Sequence, residues 1–251
     1  MSLCEVNGIV VYYVNYGESD RIIHLYTAER GLISALARGA RKPNSALLNA
    51  VQPLVYGKYV LFENKGKYTV NTCELLETFY NARIDMDKFS AAMYMTSLMN
   101  NRSHEFMRSR RLFFLLYYSL TYISYKDECV PRDIAIAFLV KVLNEHGFIP
   151  QVKICGNCGR VLLNDSLIYF EPFKGHPLCF NCKTPESVQV EPTSLEAIVR
   201  ILRLNVKDVY KVKMPLRISK ELFKILNTYA ETVLEEKFNG EIMFYDIDVQ
   251  K

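Results

Sequence analysis

The chain contains no apolar run near the roughly 18 residues that a membrane-spanning helix requires. Its start, Met1-Ser2-Leu3-Cys4-Glu5-Val6, lacks the basic segment and apolar core of a secretory signal. Both absences point to work in the cytoplasm. There is no GxxxxGKS or GxxxxGKT, no GxGxxG after a strand, no HExxH and no GxSxG, so the commonest phosphate, dinucleotide, zinc-protease and serine-hydrolase sites are not signalled. Asp85/Asp87 and Asp246/Asp248 are spaced as DxD pairs, and His24, His104 and His146 stand alone. Solvated acids and structural histidines explain them, and an enzyme is not expected. Internal repeats and low-complexity tracts are also missing.

What is present is an ordinary globular composition: of 251 residues, 50% are apolar and 23% charged. That length suits one large domain or two to three smaller ones. Seven cysteines make an odd number, so disulfides are not expected, and a metal better explains any regular cysteine spacing. Net charge is only +4, but it is unevenly spread. Arg30 to Lys67 carries seven basic residues against the single acid Glu63, and Arg200 to Lys224 carries eight against Asp208 and Glu221. Such segregation suits a protein with a side turned to a polyanion.

Up to about residue 80 the chain reads as short strands. Gly8–Val14, Ile22–Tyr26, Leu32–Leu36, Val55–Phe62 and Lys67–Thr72 are β-branched and aromatic runs, and Asn64-Lys65-Gly66 is a hairpin connection. Gly39-Ala40-Arg41-Lys42-Pro43-Asn44-Ser45 is a loop by composition. Five strands with one longer excursion predict a small closed barrel such as the OB-fold; an SH3-like barrel has nearly the same pattern. After Glu74 the period lengthens. Phe89, Ala92, Met93, Thr96 and Met99 recur at helical spacing, and Leu112–Ile123 continues an apolar, aromatic helix. Pro131 opens another, with Ile134, Phe138 and Val142 beside Ala135, Leu139 and Leu143, and Gly147 and Pro150 close it. Thr193-Ser194-Leu195-Glu196 has the form of a capping box ahead of the stripe Leu195, Ile198 and Leu202. A last helix from about Ser219 to Phe238 presents Leu222, Leu226, Tyr229 and Val233 before Asn239-Gly240. These stripes predict a bundle in which the C-terminal helices pack on the central ones.

Cys155-Gly156-Asn157-Cys158 and Cys179-Phe180-Asn181-Cys182 are two CxxC units 20 residues apart. Two thiolates of one unit can face one ion, and two units satisfy a tetrahedral Zn²⁺. Four sulfur ligands leave no open position, so one structural zinc is expected rather than a catalytic one. His176 lies between the units and could replace a cysteine ligand, but because Cys179 completes a CxxC unit it is read as a neighbour of the site or a solvated side chain. Cys4, Cys73 and Cys129 lack spacing and are expected in cores.

Arg38, Arg41 and Lys42 bracket small residues in the exposed loop, which suits phosphate contact, and Lys58, Lys65 and Lys67 on the neighbouring hairpin extend the same face. Tyr12, Tyr13, Tyr16, Tyr26, Tyr56, Tyr59 and Tyr68 are interleaved with them. Basic grooves with aromatics hold single strands, each stacked base contributing about 1–3 kcal/mol. Aromatic residues favour strands in any case, so one or two of these tyrosines are expected to reach bases.

The stretch Tyr16-Gly17-Glu18-Ser19-Asp20-Arg21-Ile22-Ile23-His24-Leu25-Tyr26-Thr27-Ala28-Glu29-Arg30-Gly31 resembles the N-terminal signature of the RecO family of DNA repair proteins. So do Ala37-Arg38-Gly39-Ala40-Arg41-Lys42, Gln52-Pro53-Leu54 and Gly147-Phe148-Ile149-Pro150 ahead of the first CxxC. The order barrel, helices, four-cysteine module, helices is also similar to that family's. The chain departs from the family pattern at Asn44, where another basic residue is common. The resemblance implies a recombination mediator that binds single- and double-stranded DNA and anneals complementary strands. With the partner RecR, it would help load the RecA recombinase onto DNA coated by single-strand binding protein. It carries over Arg38, Arg41, Lys42 and the four cysteines.

The expected architecture is therefore α+β. An OB-fold DNA-binding barrel spans residues 1–80, a helical domain spans 81–152 and 190–251, and a zinc-binding module is inserted at 153–189. No membrane and no small-molecule substrate is expected. A zinc-ribbon protein associated with RNA or transcription is the alternative reading.

Overall fold

A computed structural model of the chain describes residues 2–100, 109–162 and 165–244. His104 and the Asp246/Asp248 pair lie outside the described residues. Packing divides the chain into two compact units that meet between Asp127 and Glu128.

The first unit opens with five strands: β1 (Ser2–Tyr16), β2 (Asp20–Thr27), β3 (Gly31–Ala37), β4 (Tyr56–Asn64) and β5 (Lys67–Glu77). They close into a barrel in the order β1-β2-β3-β5-β4. Neighbours are antiparallel except β3 and β5, which run parallel through Ala35–Tyr68 and Leu36–Thr69. That connectivity is the OB arrangement, which decides against the SH3-like alternative. β1 serves two partners, β4 through its first half and β2 through its second, and a bulge between Val10 and Tyr12 lets it bend. The excursion between β3 and β4 returns to this bulge: Val10 N–H donates to Val55 O, and Leu54 N–H donates to Val10 O, both at 2.9 Å. Inside lie Val6, Val10, Ile23, Leu25, Ala35, Tyr59 and Leu61, and Tyr59 Oη donates to Ala50 O at 2.7 Å. The hairpin expected at Asn64-Lys65-Gly66 is there. Lys65 and Gly66 have φ of 48° and 76°, the paired positive values of the tight turn that matches strand twist.

Three helices follow in this unit: α1 (Asn81–Ile84), α2 (Met86–Met99) and α3 (Arg110–Tyr125). Asp85 caps α2 by accepting from Lys88 N–H at 3.0 Å, and Ser109 caps α3 by accepting from Leu112 N–H at 3.2 Å. α2 runs against β1 and α3 against β2. Tyr56 of β4 meets Phe113 and Tyr117 edge-on at 6.0 and 5.3 Å. His24 is structural: its Nδ1 lies 2.6 Å from Asn100 Oδ1 at the end of α2. Of the stripe read on α2, Ala92, Thr96 and Met99 are buried and Phe89 is exposed; Ala91, Tyr94, Met95 and Leu98 are buried as well, so the helix is covered on more than the one face the spacing predicts.

The second unit contains α4 (Pro131–Glu145), the short strands β6 (Ile168–Glu171), β7 (His176–Cys179) and β8 (Val188–Val190), then α5 (Pro192–Arg203) and α6 (Leu216–Val233). α4 starts at Pro131 as expected, but every residue from Asp133 to Leu143 is buried, so it is central rather than one-sided. Its two buried charges are both satisfied. Asp133 accepts from Met214 N–H at 2.8 Å and Ser219 Oγ at 2.6 Å; Lys141 Nζ donates to Leu202 O and Leu204 O, at the end of α5, at 2.9 and 2.6 Å. No capping box forms at Thr193–Glu196. Pro192 takes the first helical position after Glu191, and Ser194 sits one turn in, buried, donating to Glu221 Oε1 on α6 at 2.5 Å. α6 ends at Val233, before the expected stop, because Glu235 turns to a φ of 53°.

Candidate metal centre and nucleic-acid interface

Both CxxC units are turns built on short strand pairs. An isolated bridge between Ile154 and Val161 holds the first. Within it Cys155 N–H donates to Arg160 O at 2.8 Å and Gly159 N–H to Cys155 O at 2.9 Å, with Gly159 at φ 71°, a value that favours glycine. The second begins where β7 ends, at Cys179, and a 3₁₀ turn over Phe180–Cys182 brings Cys182 round. The two turns are stitched by Gly156 N–H donating to Pro177 O at 2.8 Å, and Cys179 N–H points at Cys155 Sγ from 3.5 Å.

All four sulfurs lie within 4.8 Å of one another, and Cys158 and Cys179 are 3.9 Å apart. A tetrahedral ion with metal–sulfur bonds of about 2.3 Å would set its sulfurs about 3.8 Å apart, so the donor set fits zinc. Among the described residues this is the one group of three or more His, Cys, Asp or Glu side chains able to hold a metal ion. Burial alone would raise the Cys155 thiol, but backbone N–H groups of Cys158, Cys179 and Asn157 outweigh it and lower the thiol to about 6. At Cys182 a bond from Asn157 favours the thiolate, yet the Cys179, Cys158 and Cys155 sulfurs and burial hold the thiol up at about 12. Sulfurs this close do not all ionise together unless a cation lies among them.

His176 stands beside this set and outside it. Its ring covers Gly156 so closely that a Cβ at 156 would collide with it, which is why glycine is needed there. Its Nε2 is 3.8 Å from the buried Glu171 carboxylate. Asp85, half of one DxD pair, is the cap of α2.

The basic candidates do not form one set. Arg38, Arg41 and Lys42 are exposed in the loop after β3, which is braced against the β1–β2 turn. Arg41 N–H donates to Ser19 O at 2.8 Å and its Nη1 to Gly17 O at 3.3 Å, while Gly39 N–H donates to Asp20 Oδ1 at 2.7 Å. Lys65 and Lys67 are exposed at the β4–β5 turn, and the β3/β5 register brings the start of β5 alongside the strand that leads into Arg38. Lys58 is elsewhere, on the β1–β4 ladder, with its Nζ 2.8 Å from Glu5 Oε2, and that carboxylate raises its pKa.

Arg21 went unnoticed among the charged candidates. It stands in register between Asn15 and Ala37, one residue from Arg38's strand end. Its guanidinium lies 4.1 Å over the Tyr13 ring, and Nε donates to Asn15 Oδ1 at 3.2 Å. A charged residue at an inward-facing strand position was the available signal. Of the tyrosines, Tyr26 and Tyr59 are fully buried, Tyr56 packs on α3, and Tyr68 is bonded to Arg30; Tyr12 and Tyr16 are 46% and 56% exposed. In the second unit, Arg200 borders two clefts flanking α5, of about 440 and 530 Å³, joined by Lys213 in one and by Lys153 and Arg203 in the other.

Residues 1–79 match the family model described as recombination protein O N terminal, and residues 83–241 match recombination protein O C terminal. The chain belongs to the RecO family. Curated relatives named DNA repair protein RecO span nearly its whole length. That of Acetivibrio thermocellus is 32% identical over 95% of this chain and 94% of its own. Those of a Thermoanaerobacter species and Alkaliphilus metalliredigens are 30% and 31% identical over 96% and 95% of this chain, and 96% and 97% of theirs. The break between the two matched segments falls just after β5, so this RecO-family DNA repair protein carries the family's N-terminal part as its barrel. Among the described residues no helix is long and apolar enough to cross a membrane.

Proposed function

We propose that this RecO-family protein works in recombinational DNA repair by binding DNA rather than by catalysing a reaction. It binds single- and double-stranded DNA and anneals complementary strands. With RecR it helps load RecA onto DNA coated by single-strand binding protein, in the bacterial cytoplasm and at the nucleoid. The observation that carries this reading is the loop of Arg38, Arg41 and Lys42. It is exposed and basic, and it is held at the end of an OB barrel through its backbone, by Arg41 N–H on Ser19 O and Gly39 N–H on Asp20 Oδ1. A braced loop loses little conformational entropy when it meets a phosphate backbone. Lys65 and Lys67 extend the path, and Tyr12 and Tyr16 are the rings with exposed area for stacking.

Cys155, Cys158, Cys179 and Cys182 hold one structural zinc in this reading. Four thiolates leave the ion no position for substrate or water, so its chemistry is confined to holding the two turns together. The test is annealing of complementary fluorescent oligonucleotides, bare and coated with single-strand binding protein. Faster annealing in both cases is expected. Absence of acceleration would return the zinc-ribbon alternative, association with RNA or transcription, to first place.

A further inference from the structure

The inner face of β2 ends on a charge. Ile23 and Leu25 are fully buried inside the barrel. Arg21, two residues before Ile23, carries that face to the start of the strand, between Asn15 of β1 and Ala37 of β3. Its guanidinium lies 4.1 Å over the Tyr13 ring, and its Nε donates to the neutral Asn15 Oδ1 at 3.2 Å. Nη1 is buried and has no acceptor among the described residues. A planar, charged fork held in place with donors unused gains from any anionic oxygen that reaches it.

The surroundings are basic. Arg38 follows Ala37 directly, and Arg41 and Lys42 share its loop. The acids here are Glu18 and Asp20 of the β1–β2 connection. Glu18 is exposed, and Asp20 Oδ1 already accepts from Gly39 N–H at 2.7 Å and from Ser19 Oγ at 3.3 Å. Arg21, Arg38, Arg41 and Lys42 against Glu18 and Asp20 leave an excess of positive charge, which favours a polyanion.

Depth separates these cations. Arg38, Arg41 and Lys42 are exposed, whereas Arg21 is half-buried. A duplex, stiff over about 150 base pairs, touches the charges that project. A single strand bends from one nucleotide to the next and can lower a phosphate to a recessed donor.

We propose that Arg21, clamped by Tyr13 and Asn15, is the residue through which the barrel selects single-stranded over double-stranded DNA, by holding a backbone phosphate that a duplex cannot bring to it. This rests on the DNA binding proposed above. Arg38, Arg41 and Lys42 then serve both forms of DNA, and Arg21 serves one.

Fluorescence anisotropy of the full chain with a single-stranded oligonucleotide and a blunt duplex of the same sequence, titrated across salt, tests this. Arg21→Met should weaken the single strand about tenfold and the duplex about twofold or less, and flatten only the single-strand salt slope, by about 0.7. Its melting temperature should equal or exceed the wild-type value, because the change removes a buried donor that has no acceptor. Arg21→Lys keeps the charge but not the fork, so it should restore the salt slope and only part of the affinity. Equal losses on the two forms, or none, would overturn the selectivity while leaving DNA binding in place. A lower melting temperature in both variants would make Arg21 structural and overturn it too. Polyglutamate that displaces the single strand from the wild-type chain as well as unlabelled oligonucleotide does would assign Arg21 to an acidic peptide, with the same consequence. A wild-type chain that binds neither oligonucleotide would overturn the DNA reading along with the proposal.

Discussion

In the barrel, strands of seven to fifteen residues close around Val10, Ile23, Leu25, Tyr59 and Leu61, none more than 1% exposed. In the cysteine module, strands of three and four residues cover Ile168, Phe170, Leu178 and Val190, while Ile154, Val161, Phe173 and Phe180 are 37–61% exposed. The barrel has its own apolar interior and pairs its strands all the way round. The module covers fewer apolar side chains, and its two turns bring together thiols that oppose one another's ionisation. One region is held by burial, and the other gathers four sulfurs in a set that could hold a cation, as proposed above.

The largest expected effect follows from that contrast. Cys155→Ser or Cys182→Ser should take bound zinc from one equivalent to none, since structural zinc contributes on the order of 10 kcal/mol in small modules. Amide exchange should then rise across 153–190 and leave the barrel protected. Exchange rising equally in both would break the comparison. Zinc should also be lost as pH falls, because its thiolate ligands must be deprotonated, and metal analysis after stepwise acidification would follow it.

A fragment ending at Asp127 should fold by itself with a sharp melting transition, because it contains the whole barrel and the helices packed on it. Loss of cooperativity would instead join α2 and α3 to the C-terminal helices, the division expected from sequence at 81–152 and 190–251. Leu61→Ala should cost the barrel about 2–5 kcal/mol in urea unfolding, as buried leucine truncations do, with no change in zinc content.

Smaller effects concern binding. Replacing Arg38, Arg41 and Lys42 with Ala should weaken oligonucleotides of every sequence alike. Each lost phosphate contact should flatten the log–log salt dependence by about 0.7 for single strands and about 0.9 for duplex. Fluorescence anisotropy across salt, on protein checked by circular dichroism, reads this out; an unchanged slope would move the face to the Arg200–Lys224 stretch. Lys58→Ala should be the mildest change, with melting temperature and anisotropy both at the wild-type values, because its charge is already engaged by Glu5. A loss as large as that of the loop variant would return Lys58 to the binding path.

The amino-acid sequence by itself determined the features that depend on neighbours along the chain. The strand runs, the Lys65-Gly66 turn, the Pro131 start of α4 and the two CxxC units are set by local backbone preference and fixed spacing, which act over a few residues. Tertiary structure decided what distant residues do to one another. Phe89 turned outward although its spacing is helical, and Ser194 paired with Glu221 instead of capping its helix. Lys58 was drawn to Glu5, and Arg21 settled over Tyr13 beside the basic loop. Those outcomes hang on register and packing between elements far apart in sequence, and no local pattern records them. Closure is the plainest case: two residue pairs, Ala35–Tyr68 and Leu36–Thr69, made five strands an OB barrel, because only a parallel β3 and β5 complete the ring.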